Sequence, residues 1–254
     1  MAGPESKKGW LGLSENTWTY GALALGTVLT LADFLAAFLI APLVLGAGVS
    51  QTAIINGIAV SNKLLFSQKI FYFHVPVAIS SFLIVFVAGY YSIRFLASRE
   101  KIYDTKARIG VEVALVFTVL TMITGDLWTR FEWGAWWVWE PRLTTYFIMT
   151  LLIIAYFVLR NSIEDEERRA VYAAVWGILI PIDAAISFLI TRLIPSSVHP
   201  VVLRSGGGLL PTQLIPFLIG LFGMMMIAWV VFRLRMREEI AKERIDVLKS
   251  SIEG

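Results

Sequence analysis

The chain contains no cysteine, which removes disulfides, thiolate metal sites and thiol redox chemistry from consideration. Charge is scarce too: Asp, Glu, Lys and Arg make up 16% of the 254 residues, with a net balance of only +3. A chain this poor in charge offers no basic face for nucleic acid. Histidine is limited to His74 and His199. No Walker A pattern occurs, so any ATP hydrolysis coupled to this chain must come from partners. No repeat of fixed period appears, and no linker separates one part from another. The first eighteen residues are polar and the apolar run after them is too long for a signal-peptide core, so no cleavable leader is expected.

What the chain has in abundance is apolar length. Hydrophobic residues make up 57% of it, well outside the range of a soluble domain. A hydrocarbon core of about 30 Å asks for roughly 20 apolar residues per helix. Six runs meet that requirement, at about 19–45, 71–93, 109–127, 143–160, 171–194 and 211–232. The expected fold is all-α: one six-transmembrane-helix bundle over 1–254, with 233–254 as a tail. With the N-terminus inside, sixteen of the 22 Lys and Arg residues fall in inner segments and six in outer ones. The positive-inside rule then puts both termini in the cytoplasm of a multi-pass cell-membrane protein. In the tail, Ala241, Ile245, Leu248 and Ile252 recur at helical spacing. That pattern suits a helix on the membrane surface or against a partner, and equally a solvated end.

The most unusual stretch is WTRFEWGAWWVWEPR, residues 128–142, on the expected outer side. Five of the nine tryptophans lie there: Trp128, Trp133, Trp136, Trp137 and Trp139. If 133–140 is helical, steps of about 100° gather Trp133, Trp136, Trp137 and Glu140 on one face, with Trp139 beside them. Gly134, Ala135 and Val138 would take the other face. An interfacial aromatic belt needs only one or two such residues per helix end. The density here favours a platform for a planar ligand.

Both histidines fall on the same expected side. His74 lies in KIFYFHVPVAIS at the start of the second span, where Pro76 is tolerable if it sits in the first turn. His199 lies in SVHPV, in the last outer segment. Each alone reads as a hydrogen-bonded structural residue. Together, two imidazoles can close both faces of a porphyrin, and the tryptophans favour haem over a bare metal. Arg130, Arg142 and Arg204 offer planar forks for two propionates. Asp33 and Asp183 fall near the middles of the first and fifth spans, where an ionisable group is expensive. They fit either a functional role or the fixing of helix packing. Asp126 and Arg192 are expected to border the outer site.

WGAWWVWEPRLT resembles the tryptophan-rich WWD signature of haem-handling membrane proteins, and most of all the cytochrome c maturation protein C (CcmC) family, whose pattern runs approximately WGxWWxWDxRLT. FHVPVA is similar to that family's outer histidine motif, and the likeness covers about residues 20–232. Glu140 stands where the family has Asp, and Pro141 follows it as in larger relatives of the CcmF and CcsA types. Around His199 little matches beyond the histidine itself. The resemblance implies that haem b is held on the outer, periplasmic face for cytochrome c biogenesis. Its iron would be ligated by His74 and His199. Trp128, Arg130, Trp133, Gly134, Trp136, Trp137, Trp139, Glu140 and Arg142 would surround it. The implied partners are a periplasmic haem chaperone of the CcmE type and the ATPase and membrane subunits of an ABC-type complex (CcmA and CcmB types). A small single-span subunit and membrane lipid complete the set. Haem-lyase-type help in attaching a haem vinyl group to the chaperone is also implied. The residues alone leave two other readings open, a b-type cytochrome that passes electrons and a permease for haem or another small solute.

Overall fold

A computed structural model describes residues 15–40, 52–55, 58–61, 68–194 and 209–253. Six helices long and apolar enough to cross a membrane account for most of it: α1 (Glu15–Leu39), α2 (Phe71–Ser98), α3 (Lys101–Glu132), α4 (Pro141–Ser162), α5 (Glu166–Leu193) and α6 (Pro211–Glu253). Between α1 and α2 lie a two-stranded antiparallel hairpin, β1 (Thr52–Ile55) and β2 (Ile58–Ser61), and a single 3₁₀ turn, Gln68–Ile70. The hairpin was not expected from the sequence.

Each expected span corresponds to one helix, but the boundaries differ in a consistent way. Apolar counting finds only the lipid-embedded part, whereas the helices run on into charged sequence where caps end them. α3 begins eight residues before the expected 109, and α2 ends five residues after the expected 93. The tail is not a separate element. α6 continues unbroken for 43 residues, about 65 Å at 1.5 Å per residue. That is about twice the hydrocarbon thickness; the tail's first turns still pack on the bundle, with Met236 buried, and only 241–252 are exposed throughout. Conversely, α1 stops at Leu39, which puts Asp33 under two turns from its end rather than at mid-span. Pro76 is the sixth residue of α2, beyond the first turn, so it removes a ladder hydrogen bond to the Tyr72 carbonyl instead of occupying a vacant end position.

The helix ends alternate, so α2, α4 and α6 begin where α1, α3 and α5 finish. α2 is the hub, packed on α3, α5 and α6, while α1 leans mainly on α6. The core runs through Val77, Val85, Ile109, Phe117, Met149, Ile153 and Ile180, all buried. Leu, Ile, Val and Phe side chains elsewhere on the helices face outward, as lipid contact allows. Inside the bundle, helices are also joined by buried polar links such as the 2.7 Å hydrogen bond between the Ser81 and Tyr146 hydroxyls. At the corner between α1 and α2, buried Lys69 donates to the carbonyls of Ala37 at 2.6 Å and Phe38 at 3.4 Å. It thereby places a cation on the C-terminal end of α1, where the helix dipole favours one. Burial pushes its ammonium below the ordinary lysine pKa.

Candidate functional site

Residues 133–140 join α3 to α4 and are not helical, so the one-faced arrangement that a helix there would give does not occur. Two local signals account for this. Trp133 closes α3 with its N–H on the Thr129 carbonyl at 2.8 Å, and Gly134 follows at φ +73°, a left-handed position that stops a helix and strains any L side chain. At the other end Pro141 is the first residue of α4 and disfavours a helical Glu140, which is extended at φ −94°, ψ 157°. Glu140 is buried, and its Oε1 accepts the Leu143 N–H at 2.8 Å, so the carboxylate is the N-cap of α4. An aspartate does this job with a shorter arm, and glutamate here still reaches.

Between those stops the backbone is pinned from α3. The Thr129 hydroxyl lies 2.9 Å from the Trp136 carbonyl, and Arg130 donates to the Gly134 carbonyl at 2.9 Å. Arg142 reaches across to the Phe188 carbonyl of α5 at 3.4 Å, and Arg192 donates to the same carbonyl at 3.3 Å. Two guanidinium groups thus converge on one corner of this end.

The indoles do not make the continuous flat plate that a helix would have given. They form two edge-on groups. Trp128 and Trp133 are 5.0 Å apart at 71°, while Trp137 packs against Trp139 at 5.5 Å and 81° and against Phe147 at 5.6 Å and 66°. Trp136 and Trp139 are 60% and 73% exposed, so two large rings stand out from the loop. Trp137 is inserted, and among the described residues its buried Nε1 has no hydrogen-bond partner.

His74 sits in the first turn of α2 against the last third of α3. Its Nδ1 is 2.9 Å from the Thr124 hydroxyl. That hydroxyl also lies 2.8 Å from the Leu120 carbonyl and 3.1 Å from the Thr121 carbonyl of its own helix; when its proton goes to either, its oxygen accepts from Nδ1–H and the imidazole lone pair falls on Nε2. The ring fits because residue 125 is glycine: a Cβ there would lie 3.2 Å from His74 Cε1. α3 therefore carries both the histidine's seat, Thr124 and Gly125, and the tryptophan pair's base, Trp128, one turn further on. His199 and Arg204 lie outside the described residues. Neither Thr124 nor Gly125 was legible in the sequence, because nothing local links them to a histidine 50 residues away. Gly134 and the Glu140–Pro141 pair did carry the signals of a helix stop and a helix start.

A multi-pass helical membrane protein with a histidine and five tryptophans gathered at one end is the class that the fold and this end define. The chain belongs to the haem exporter protein C family: the family model described as "CcmC: Heme exporter protein C" matches residues 19–251. Heme exporter protein C of Bradyrhizobium diazoefficiens is 30% identical over 190 residues, 71% of this chain and 70% of that protein. The Escherichia coli K12 protein of the same name is 28% identical over 176 residues, covering 68% and 71%. A ccmC-like mitochondrial protein of cytochrome c biosynthesis from Arabidopsis thaliana is 28% identical over 187 residues, covering 73% and 69%.

Proposed function

We propose that this protein binds haem b, as cargo, at the tryptophan end on the outer face of the cell membrane, and presents it to a periplasmic haem chaperone during cytochrome c biogenesis. The observation that carries this reading is the seating of His74. Thr124 holds Nδ1 and Gly125 makes room for the ring, so the imidazole is oriented as the hydrogen-bond partner of a metal-ligating histidine orients it. His199 is the second axial ligand. The exposed Trp136 and Trp139, with Trp128, Trp133 and Trp137 behind them, supply aromatic contact for the macrocycle. Arg130 and Arg142 serve the propionates, each already steadied by one backbone carbonyl. Gly134 and Glu140 set the course of the loop and touch haem only through it. The work of the site is positioning: the haem edge is fixed where a chaperone can reach it. The CcmE-type chaperone, the CcmA- and CcmB-type subunits and a small single-span subunit complete the assembly, and ATP hydrolysis belongs to the ATPase.

The test is an optical spectrum of purified protein with each histidine changed to alanine. Single variants are expected to lose the six-coordinate low-spin spectrum, and His74→Ala to lose most of the haem. A double variant that keeps the wild-type spectrum would overturn the ligand assignment. Haem that cycles between redox states but is never surrendered to a chaperone would instead mark a b-type cytochrome.

A further inference from the structure

The far end of α6 carries an apolar strip that the described bundle does not cover. Residues 241–252 are exposed throughout, and among them Ile245, Leu248 and Ile252 are 50%, 62% and 83% exposed. At steps of about 100° per residue, these three and Ala241 fall within an arc of about 60°. Their spacing of four, three and four residues is that of a coiled-coil seam. The charges around the strip are sorted by sign. Arg244 borders it on one side, Lys242 and Lys249 on the other, while Glu243 and Asp246 take the far face. Among the described residues none of those three cations forms an ion pair, whereas Arg108, Arg160 and Arg235 of the bundle all do.

An apolar strip with basic borders suits a lipid surface, a second copy of the chain or a helix of another protein. The direction of α6 disfavours lipid. Arg235 and Glu239 hold it to α3 through Glu112 at 2.7 Å and Arg108 at 2.6 Å, up to two residues before the strip. Between Gly223 and Gly254 no glycine or proline offers a bend. The helix therefore leads away from the bilayer instead of turning onto its surface. Charge disfavours a second copy. Two copies in one membrane could only pair their tails in parallel, which sets Arg237 of one against Lys242 of the other, and Arg244 against Lys249, so both flanking pairs repel. Residues 1–14 of this chain lie outside the described residues and hold Lys7 and Lys8 against the single Glu5, so they lack the complementary charge too. What complements this strip is a helix whose apolar seam has acidic borders. The strip is already helical on a rigid support, which lowers the ordering cost of a contact about three turns long.

We propose that this strip binds an amphipathic helix of another protein, one with acidic residues on both sides of its apolar face, at the membrane face opposite the tryptophan loop. The proposal stands independently of the haem reading. The experiment replaces Leu248 of the full chain with the photo-crosslinker benzoylphenylalanine in native membranes and identifies the adducts by peptide mass spectrometry. One protein is expected, joined through a helical segment whose apolar seam is flanked by acidic residues. Reversing the borders together (Lys242→Glu, Arg244→Glu and Lys249→Glu) should cut the adduct about tenfold or more, in protein that unfolds as wild type does. A second readout uses the chain in nanodiscs and two labelled synthetic helices with the same leucine seam, one bordered by glutamate and one by lysine. By fluorescence anisotropy the glutamate helix should bind wild type about tenfold tighter or more, and the preference should invert with the reversed chain. His74→Ala should change neither readout. Adducts confined to lipid, to a second copy or to residues 1–14, an adduct that survives the reversal, or equal binding of the two helices would overturn the proposal.

Discussion

The two ends of the bundle are built on opposite principles. At the end where α3 and α5 begin, side chains are tied to one another by charge. Arg160 grips Asp104 with two parallel bonds of 2.6 and 2.9 Å, nearly buried, and so joins the start of α3 to the end of α4. Glu112 accepts from Arg108 at 2.8 Å and from Arg235 at 2.7 Å, while Arg108 also reaches Glu239 at 2.6 Å. Arg235 pairs again with Glu238, and Arg237 reaches the buried Thr19 of α1 at 2.9 Å. At the tryptophan end Thr129, Arg130, Arg142 and Glu140 hold backbone groups instead, and large rings are left outside. One end fixes the helices to each other. The other fixes the course of a loop and leaves its side chains available.

The largest effect that would break this contrast lies in the charged end. Removing either partner of the Arg160–Asp104 pair, for example Asp104→Ala, leaves a buried charge uncompensated and should cost about 3–5 kcal/mol. Denaturant unfolding in detergent would measure it, and haem bound per folded molecule should not change. Thr124→Val should do the reverse. Loss of the hydrogen bond that orients His74 should weaken haem binding about 10- to 100-fold, with roughly 1 kcal/mol lost from folding. Equal losses in both measurements would show that Thr124 is packing and no more.

Smaller changes sharpen the comparison within the loop. Glu140→Ala removes the cap of α4 and should cost about 1 kcal/mol, whereas Glu140→Asp should behave as wild type in thermal unfolding. A fall in haem occupancy with Glu140→Asp at unchanged stability would give the carboxylate a direct role beyond capping. Least of all, Trp136→Ala and Trp139→Ala should shift folding by no more than about 0.5 kcal/mol, as exposed positions do, yet lower haem affinity measurably. If they destabilise the fold as core residues would, the loop is scaffold.

Much of the fold was legible, because a bilayer demands apolar length and helical backbone, and both can be counted along a chain. The repeat of residues 133–140 at helical spacing suggested one shared face, and the loop does not have it. The competing signals, Gly134 at the stop and Glu140–Pro141 at the start, are local and present in the sequence. They outweigh the spacing because a left-handed residue and a proline constrain the backbone directly, whereas spacing only describes which side chains would share a face. Asp33 was placed too deep for a similar reason: its span ends six residues later, and hydropathy does not mark that end.

By itself the sequence determined six membrane-crossing helices, their alternation, and the gathering of His74 with five tryptophans at one end. Those follow from hydropathy and the order of the chain. Only the packing of α3 against α2 brought Thr124 and Gly125 to His74, and only that of α1 against α6 buried Asp33 with its Oδ1 lacking a hydrogen-bond partner among the described residues. These are contacts between segments tens of residues apart, and no local rule of spacing or propensity encodes which side chain will meet which across a helix interface.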